Sequence, residues 1–355
     1  MARLTLEETI ANVQPLDTAA MDSARARQDT LTKPTGALGR LEDISVQLAG
    51  IYGQPTPLPK NKVVIVAAGD HGVVAEGVTA YPQEVTGQMV VNFIHGGAAI
   101  NVLSRYTGAR VIVVNAGIVV DLPDHHEIIS LTIGKGTKNM AIGPAMTEEQ
   151  ARKSLEEGIS IATDEIESGA DLIAAGEMGI GNTTAASAIT SIITKHSPLE
   201  VTGLGTGITE EQRTHKAKVI ERTIALNKPD PNNGFDVLRK VGGFEIGVMA
   251  GVMLGTAASR RPVLLDGFIS GAAALIACTL CPRIKDYFIA CHFSVEPGHA
   301  AVLDYLGLKP ILDLSMRLGE GTGAVLGMLI VESAARCLAE MATFAEAAVS
   351  GKAEA

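Results

Sequence analysis

The chain has 355 residues, of which 46% are hydrophobic and only 19% are charged, so it holds enough apolar side chains for a sizeable core. This composition excludes a chain dominated by solvated disorder. The net charge of −10 and the lack of Trp argue against a nucleic-acid partner, because such binding depends on clustered Lys and Arg and on stacking aromatic rings.

The N-terminal segment does not resemble an export signal. Residues 1–43 mix charged and apolar residues at helical spacing, unlike a signal peptide. The chain also lacks the run of about 18 apolar residues that predicts a transmembrane helix. We therefore expect a cytoplasmic protein without a membrane partner.

Five short apolar runs each precede a glycine-rich or polar turn. They cover residues 62–68, 109–115, 171–175, 261–265 and 287–291. The runs are β-branched and continuous rather than alternating, which is typical of parallel strands buried on both faces. Helical stretches lie between them, including one that the capping box Thr147-Glu-Glu-Gln150 begins and that extends to about Ser168. This alternation predicts an α/β fold with a Rossmann-like parallel sheet flanked by helices, with ligands at the carboxyl ends of the strands.

The two ends of the chain are helical without intervening strands. Because chain termini often lie close in space, we expect them to form a small helical domain. The predicted division is residues 1–50 and 326–355 for the small domain and residues 51–325 for the α/β domain.

The motif Gly176-Glu-Met-Gly-Ile-Gly-Asn-Thr-Thr184 follows a predicted strand and begins a small-residue helix. Glycines permit close backbone approach, and the helix N-terminus offers free N–H groups to an anion, which favours a phosphate site. The alternative is a packing turn in which Asn182 or Thr183 caps the helix. The motif lacks the Gly-Lys-Ser/Thr of a P-loop.

Two further turns are weaker signals. Thr202-Gly-Leu-Gly-Thr-Gly207, followed by Lys216, fits either a second phosphate loop or a flexible surface loop. Gly69-Asp70-His71-Gly72 fits acid–base or metal chemistry, but one His and one Asp do not complete a metal site, and a hydrogen-bonded turn explains it equally well.

The segment Arg317-Leu-Gly-Glu-Gly-Thr-Gly323 places Glu320 between glycines, just before an apolar helix. Flanking glycines leave this carboxylate unshielded, so it is either a surface turn residue or a base with a pKa raised by apolar neighbours.

Asp266 is the single acidic residue after its apolar strand, whereas phosphoribosyltransferases that use a pyrophosphate donor carry adjacent acidic residues at that position. We therefore expect no metal and no cofactor.

The Cys278-x-x-Cys281 spacing also occurs in redox and metal sites. No second pair completes a zinc site, and the neighbouring segment is small and apolar like a buried helix. We expect these two thiols, with Cys291 and Cys337, to be packed in a reducing cytoplasm.

Taken together, eight ordered blocks resemble the nicotinate-nucleotide–dimethylbenzimidazole phosphoribosyltransferase family over nearly the whole chain. The blocks are residues 33–42, 70–78, 96–101, 176–184, 241–245, 262–268, 292–294 and 316–323. The resemblance implies a Rossmann-type domain with a small helical domain, a homodimer, and a role in making the lower ligand of cobalamin.

The resemblance also implies roles for individual residues. Glu320 matches the catalytic glutamate and Glu177 a second important carboxylate. The benzimidazole pocket maps to Tyr81, Pro82, Gln88, Met89, Met178 and Leu318. Lys216, Asp266 and Ser294 match positions near the phosphoribosyl group, and the glycine loops supply Gly176, Gly179, Gly181, Asn182, Thr183, Gly203 and Gly205 for binding.

The implied reaction moves the 5-phosphoribosyl group from nicotinate mononucleotide to a benzimidazole, giving an α-riboside and nicotinate. The pyridinium nitrogen already carries positive charge, so nicotinate leaves without a general acid or metal. Two alternatives remain: a hydrolase in which water replaces the base, and a nucleotide-binding regulatory protein without catalysis. A glycine-flanked, exposed Glu320 argues against the second, because a binder of anions gains nothing from added negative charge.

Overall fold

Six parallel strands form one sheet in the computed structural model, which describes residues 3–123, 125–205 and 207–350. The strands are β1 (Lys62–Gly69), β2 (Ala109–Gly117), β3 (Ile128–Ser130), β4 (Leu172–Met178), β5 (Val263–Leu265) and β6 (Phe288–Ala290). Five of them confirm predicted strands. The sequence pattern misses β3, because this strand has only three residues, lies at the sheet edge and is partly exposed.

The strand order is β3-β2-β1-β4-β5-β6, with every pair parallel. The chain adds β2 and β3 on one side of β1, and then β4, β5 and β6 on the other side. A crevice therefore opens beyond the carboxyl ends of β1 and β4, which is where doubly wound sheets bind ligands. The predicted Rossmann-like α/β class is confirmed.

Strand β1 shows why its sequence is a continuous apolar run. Val63 and Ile65 belong to one hydrophobic cluster, whereas Val64 and Val66 belong to another. Successive side chains of a strand point to opposite faces, so a central strand covered on both sides needs apolar residues at every position.

Fourteen α-helices surround the sheet within the described residues. They are α1 (Leu6–Asn12), α2 (Thr18–Thr30), α3 (Arg40–Tyr52), α4 (Glu84–Ile94), α5 (Ala99–Thr107), α6 (Glu148–Glu167), α7 (Asn182–Thr194), α8 (Pro198–Val201), α9 (Glu210–Asn227), α10 (Gly234–Val241), α11 (Phe244–Ala258), α12 (Phe268–Leu280), α13 (Pro297–Leu306) and α14 (Thr322–Glu340). The cluster on one face includes α6, α7, α11 and α12, and that on the other includes α3, α4, α5 and α14. The Thr147 hydroxyl accepts from the Gln150 N–H at 3.1 Å, so the predicted capping box does begin α6.

The two ends of the chain lie against each other. The Arg27 guanidinium donates to the Leu338 carbonyl at 2.7 Å, and Leu31 forms an isolated β-bridge with Thr343. Helix α14 begins at Thr322, before the predicted boundary at 325/326, and packs on α3, α5 and the sheet. The division into residues 1–50, 51–325 and 326–355 stays a prediction.

Helix α14 is long and apolar enough, by length and composition alone, to cross a membrane. However, 56% of its most apolar window is buried inside the protein, as in a core helix. The cysteines are free, with Cys281 and Cys291 buried and Cys278 and Cys337 partly buried, as expected for packed thiols.

Candidate active site

Glu320 lies in a tight loop between α13 and α14. Gly319, Glu320 and Gly321 have φ angles of 83°, 61° and 87°, so three consecutive residues adopt the left-handed conformation. A non-glycine residue there costs of order 1–3 kcal/mol and persists only where the surroundings enforce it. The Glu320 carboxylate accepts from the Ile100 N–H at the start of α5, at 3.2 Å. The expectation of an unshielded Glu320 is wrong, because the residue is only 4% exposed.

Two predicted residues hold this loop in place. A Cβ at Gly176 would lie 2.4 Å from the Glu320 carbonyl oxygen, so only glycine on β4 lets the loop approach. The Asp266 carboxylate accepts from the Gly321 N–H at 3.2 Å and from the Ala324 N–H at 3.0 Å. Asp266, at the end of β5, thereby caps the start of α14 and supports Glu320.

Glu177 is the third carboxylate at this edge of the sheet. It is buried, accepts from the Asn182 side-chain amide, and packs so tightly on the loop that a Cβ at Gly319 would lie 2.1 Å from its Oε1. Burial, together with the charges of Asp266, Glu245 and Glu320, raises the pKa of Glu177 to about 8. The carboxylate therefore carries a proton in many molecules at neutral pH.

The other two carboxyls are shifted in the same direction. Burial raises the pKa of Glu320; the charge of Asp266 adds to this rise and the Ile100 hydrogen bond opposes it. Burial also raises the pKa of Asp266, against the influence of His292 and of the α14 backbone N–H groups. Three acidic groups in one poorly solvated region stabilise positive charge in a ligand.

A buried cation lies on the other side of the glycine loop. Lys216 of α9 is only 2% exposed, and its ammonium donates to the Thr183 hydroxyl at 2.6 Å. Burial lowers the pKa of Lys216 to about 8, although the nearby Glu296 carboxylate raises it. Thr183 lies in the first turn of α7, whose N-cap Gly181 has a φ of 96°. The Lys216 ammonium and the Thr183 hydroxyl thus lie beside the start of α7, the end of the helix that favours negative charge.

A narrow cavity of about 100 Å³ lies beside the carboxyl groups and the start of α7. Its lining includes nine of the predicted residues: Glu177, Met178, Gly179, Asn182, Thr183, Gly205, Asp266, Ser294 and Leu318. Gly176, Gly181, Gly203, Lys216 and Glu320 are not part of the lining but contact it or its supports. Glu177 and Asp266 thus face the cavity directly, whereas Glu320 and Lys216 lie next to its lining residues Gly319 and Thr183.

Comparisons with known proteins point the same way. A family model described as Phosphoribosyltransferase matches residues 13–349. The nicotinate-nucleotide–dimethylbenzimidazole phosphoribosyltransferases of Roseiflexus sp. (strain RS-1) and Chloroflexus aggregans are 58% and 57% identical, covering 98% and 99% of this chain and 99% of each relative. The crystal structure of the same enzyme from Thermus thermophilus superposes with a TM-score of 0.90 at 46% identity, covering 95% of this chain and 100% of that one.

The chain belongs to this phosphoribosyltransferase family. It is therefore an enzyme that transfers a pentosyl group, and the predicted family resemblance is confirmed.

Four of the six residues predicted for the base pocket lie apart from the cavity, whereas Met178 and Leu318 line it. Tyr81 is 48% exposed, Pro82 and Gln88 are exposed, and Met89 is half-buried, and none of these four lines the cavity. Leu318 lies at the cavity and is 56% exposed. Four of the six positions predicted for the base in this phosphoribosyltransferase are therefore exposed to solvent.

Three cavity residues have no assigned role in the sequence interpretation. The Arg317 guanidinium donates to the Gly205 carbonyl at 2.7 Å, and His292 Nε2 lies 3.6 Å from Asp266 Oδ1. Glu296 packs on the second glycine loop, where a Cβ at Gly203 would lie 2.0 Å from its Oε2. Arg317 and His292 fall inside family blocks, which is a signal for them, whereas nothing in the spacing around Glu296 indicates its position.

The Asp70-His71 turn is a hydrogen-bonded turn. His71 Nε2 lies 2.7 Å from Glu245 Oε1, and both side chains are buried. Among the residues that the structure describes, no group of three or more His, Cys, Asp or Glu side chains has the geometry of a metal site.

A second cavity of about 790 Å³ lies at the carboxyl end of β2, between Asn115 and Lys135. It is larger than the narrow cavity, but none of the predicted site residues lines it. Size alone does not identify a site, and carboxyls with raised pKa values make the narrow cavity the stronger candidate in this phosphoribosyltransferase.

Proposed function

We propose that the enzyme transfers the 5-phosphoribosyl group of nicotinate mononucleotide to 5,6-dimethylbenzimidazole, giving α-ribazole 5′-phosphate and nicotinate for cobalamin lower-ligand synthesis. The substrates are those in the names of its relatives. One observation carries the proposal: three buried carboxyls, Glu177, Asp266 and Glu320, meet at one edge of the sheet, and a buried lysine contacts Thr183 in the lining of the narrow cavity there. That arrangement suits a substrate that is cationic at one end and anionic at the other.

The phosphate end would bind at Lys216, Thr183 and the start of α7. Here the ammonium and a hydroxyl lie beside the helix N-terminus, whose dipole favours a negative charge. Because the phosphate is remote from the reacting carbon, these contacts supply affinity and orientation rather than chemistry.

The ribose and pyridinium would face the acidic groups. As the C1′–N bond breaks, its electron pair neutralises the pyridinium nitrogen and positive charge builds on the ribose. Glu177 and Asp266 would stabilise that charge. A cationic ligand favours the carboxylate form of Glu177, which lowers its raised pKa on binding.

Glu320 would act as the general base. A benzimidazole nitrogen donates its lone pair to C1′, and the resulting cation makes the N–H of its other nitrogen acidic. Glu320 would accept that proton, and its raised pKa makes it a stronger proton acceptor than a solvated glutamate. One of its oxygens is held by the Ile100 N–H, which fixes the orientation of the other.

A coupled incubation of nicotinate mononucleotide with dimethylbenzimidazole tests the proposal. Equal amounts of nicotinate and α-ribazole phosphate are expected. Nicotinate with ribose 5-phosphate, independent of added base, would favour the hydrolase instead. Absence of nicotinate release would favour a binding protein.

Further expectations accompany this function. We propose a homodimer acting in the cytoplasm, with no nucleic-acid or membrane partner, no cofactor and no metal. A chelator is therefore expected to leave the rate unchanged. The small helical domain from residues 1–50 and 326–355 is part of the same proposal.

A further inference from the structure

Thr86, a fully buried residue near the start of α4, makes two hydrogen bonds with one hydroxyl. It donates to Asp70 Oδ1 at 2.7 Å and accepts from the Ile180 N–H at 3.1 Å. The hydroxyl therefore joins α4 to the loop after β4. Helix α4 carries Gln88 and Met89, and the loop directly follows Glu177 and Met178 at the end of β4.

Asp70 is itself fixed on several sides. Its second carboxylate oxygen accepts from the Val119 N–H at 2.9 Å. Its backbone N–H donates to the Gly117 carbonyl at 3.0 Å and its carbonyl accepts from the Thr137 N–H at 2.9 Å. Asp70 is thus a rigid anchor at the carboxyl ends of β1 and β2, to which Thr86 is attached.

The loop and the helix are fastened closely around this anchor. A Cβ at Gly179 would lie 2.3 Å from the Gly69 carbonyl oxygen, so the loop presses directly on the end of β1. Just before α4, the Gln83 side-chain amide donates to the His71 carbonyl at 3.0 Å. Because both α4 and the loop after β4 pack closely here, neither can shift by itself without breaking the hydrogen bonds of Thr86.

We propose that Asp70 and Thr86 form a positioning relay that fixes the base-side helix relative to the nucleotide loop, so that an incoming base, rather than water, meets C1′. Neither residue lines the narrow cavity, and both Asp70 oxygens accept hydrogen bonds, so they act through Ile180 and α4 rather than on the substrate. The inference rests on the proposed phosphoribosyl transfer. It gives the Asp70-His71 turn a function that needs neither a metal nor proton transfer.

Thr86→Val tests the relay, because valine keeps the shape but removes the hydroxyl. In the normal reaction the C1′–N bond is replaced by a bond to benzimidazole nitrogen. When water attacks instead, its oxygen bonds to C1′, one proton goes to solvent, and the products are nicotinate and ribose 5-phosphate. We expect Thr86→Val to lower kcat/KM for the base about 10-fold, as for loss of a buried hydrogen bond. We also expect it to raise the share of ribose 5-phosphate.

Two further variants separate positioning from mere stability. Thr86→Ser keeps the hydroxyl and is expected to restore the product ratio. Thr256→Val removes another fully buried hydroxyl, which donates to the Val252 carbonyl at 2.7 Å within α11. That variant is expected to lower Tm without changing the product ratio. If Thr86→Val behaves like Thr256→Val, or if serine fails to restore the ratio, the relay is overturned.

A measurement on the unaltered enzyme covers the case in which Thr86→Val does not fold. Hydrogen exchange of residues 178–181 is expected to slow when dimethylbenzimidazole is added alone, because the base steadies α4 and, through Thr86, the loop. No change in exchange would contradict the relay. Failure of the unaltered enzyme to release nicotinate with both substrates present would instead contradict the proposed function.

Discussion

On the side proposed to bind the nucleotide, Glu177, Asp266 and Lys216 are 7%, 2% and 2% exposed, whereas on the side proposed to bind the base Tyr81 and Leu318 are 48% and 56% exposed. The buried groups are fixed by hydrogen bonds to Asn182, to the α14 backbone and to Thr183. No side-chain hydrogen bond is found for Tyr81 or Gln88 in the described structure.

This difference suggests that the two halves of the reaction are prepared differently. The half that must stabilise charge is already ordered in the free protein, since fixed dipoles and charges aid catalysis only if they need no rearrangement. The half that accepts a flat aromatic base can remain open until the base arrives. Substitutions on the two sides are therefore expected to have effects of very different size.

The largest effect is expected at Glu320. Glu320→Gln keeps an oxygen that can accept from Ile100, so the fold should survive, but the base is lost. We expect kcat to fall on the order of 10²- to 10⁴-fold with the nucleotide KM nearly unchanged. Steady-state kinetics beside Glu221→Gln, an exposed position, would check this, and unchanged kcat would remove Glu320 from the mechanism.

A smaller loss is expected for Lys216→Ala. Loss of a hydrogen bond from a charged group typically costs about 1.5–3 kcal/mol, so kcat/KM for the nucleotide should fall about 10- to 100-fold at pH 7. Because the pKa of Lys216 is about 8, the unaltered enzyme loses this charge above that pH, and the two rates should converge at higher pH. Lys218→Ala on the same helix is the exposed control. An equal loss in both variants would assign Lys216 to general surface charge.

The third effect concerns stability rather than rate. The pKa of Glu177 is about 8 in the folded state and lies near 4.5 in an unfolded chain. Between these values the folded form holds a proton that the unfolded form has released, so the free energy of unfolding falls as pH rises through this window. Glu177→Gln removes this term. Urea unfolding should therefore show a smaller fall in the free energy of unfolding between pH 5 and pH 8 for the variant than for the unaltered protein. An equal fall in both proteins would mean that Glu177 is already ionised at pH 5.

The smallest effect is expected at Tyr81. Its ring is half exposed, so Tyr81→Ala should raise the base KM by roughly 3- to 10-fold, the range of one aromatic contact. The nucleotide KM should not change. Tyr106→Ala, at a 76% exposed ring on α5, provides the comparison. A larger rise in the KM for the nucleotide than in the KM for the base would instead place Tyr81 next to the nucleotide.

Much of this arrangement can be predicted from the sequence, because its signals are local. Continuous β-branched runs predict five strands, and glycine patterns predict the loops around Gly176 and Glu320. Strand β3 escapes because three partly exposed residues at an edge have no periodicity to detect.

The rest depends on contacts between segments far apart in the sequence. Glu296 meets Gly203, and Glu320 meets Ile100, only after the strands have been ordered in the sheet. The burial of Glu320 is missed for the same reason. Its neighbours in sequence are glycines, but its neighbours in space are α5 and β4.

The left-handed backbone at Glu320 bears on how this enzyme tolerates change. Glycine is the residue that such a φ angle of 61° suits best, so a library selected for heat resistance alone should accept Glu320→Gly readily. A library selected for cobalamin-dependent growth should reject it. Glycine recovered at position 320 in the first selection but not in the second would show that the carboxylate is kept for function at a cost in folding free energy.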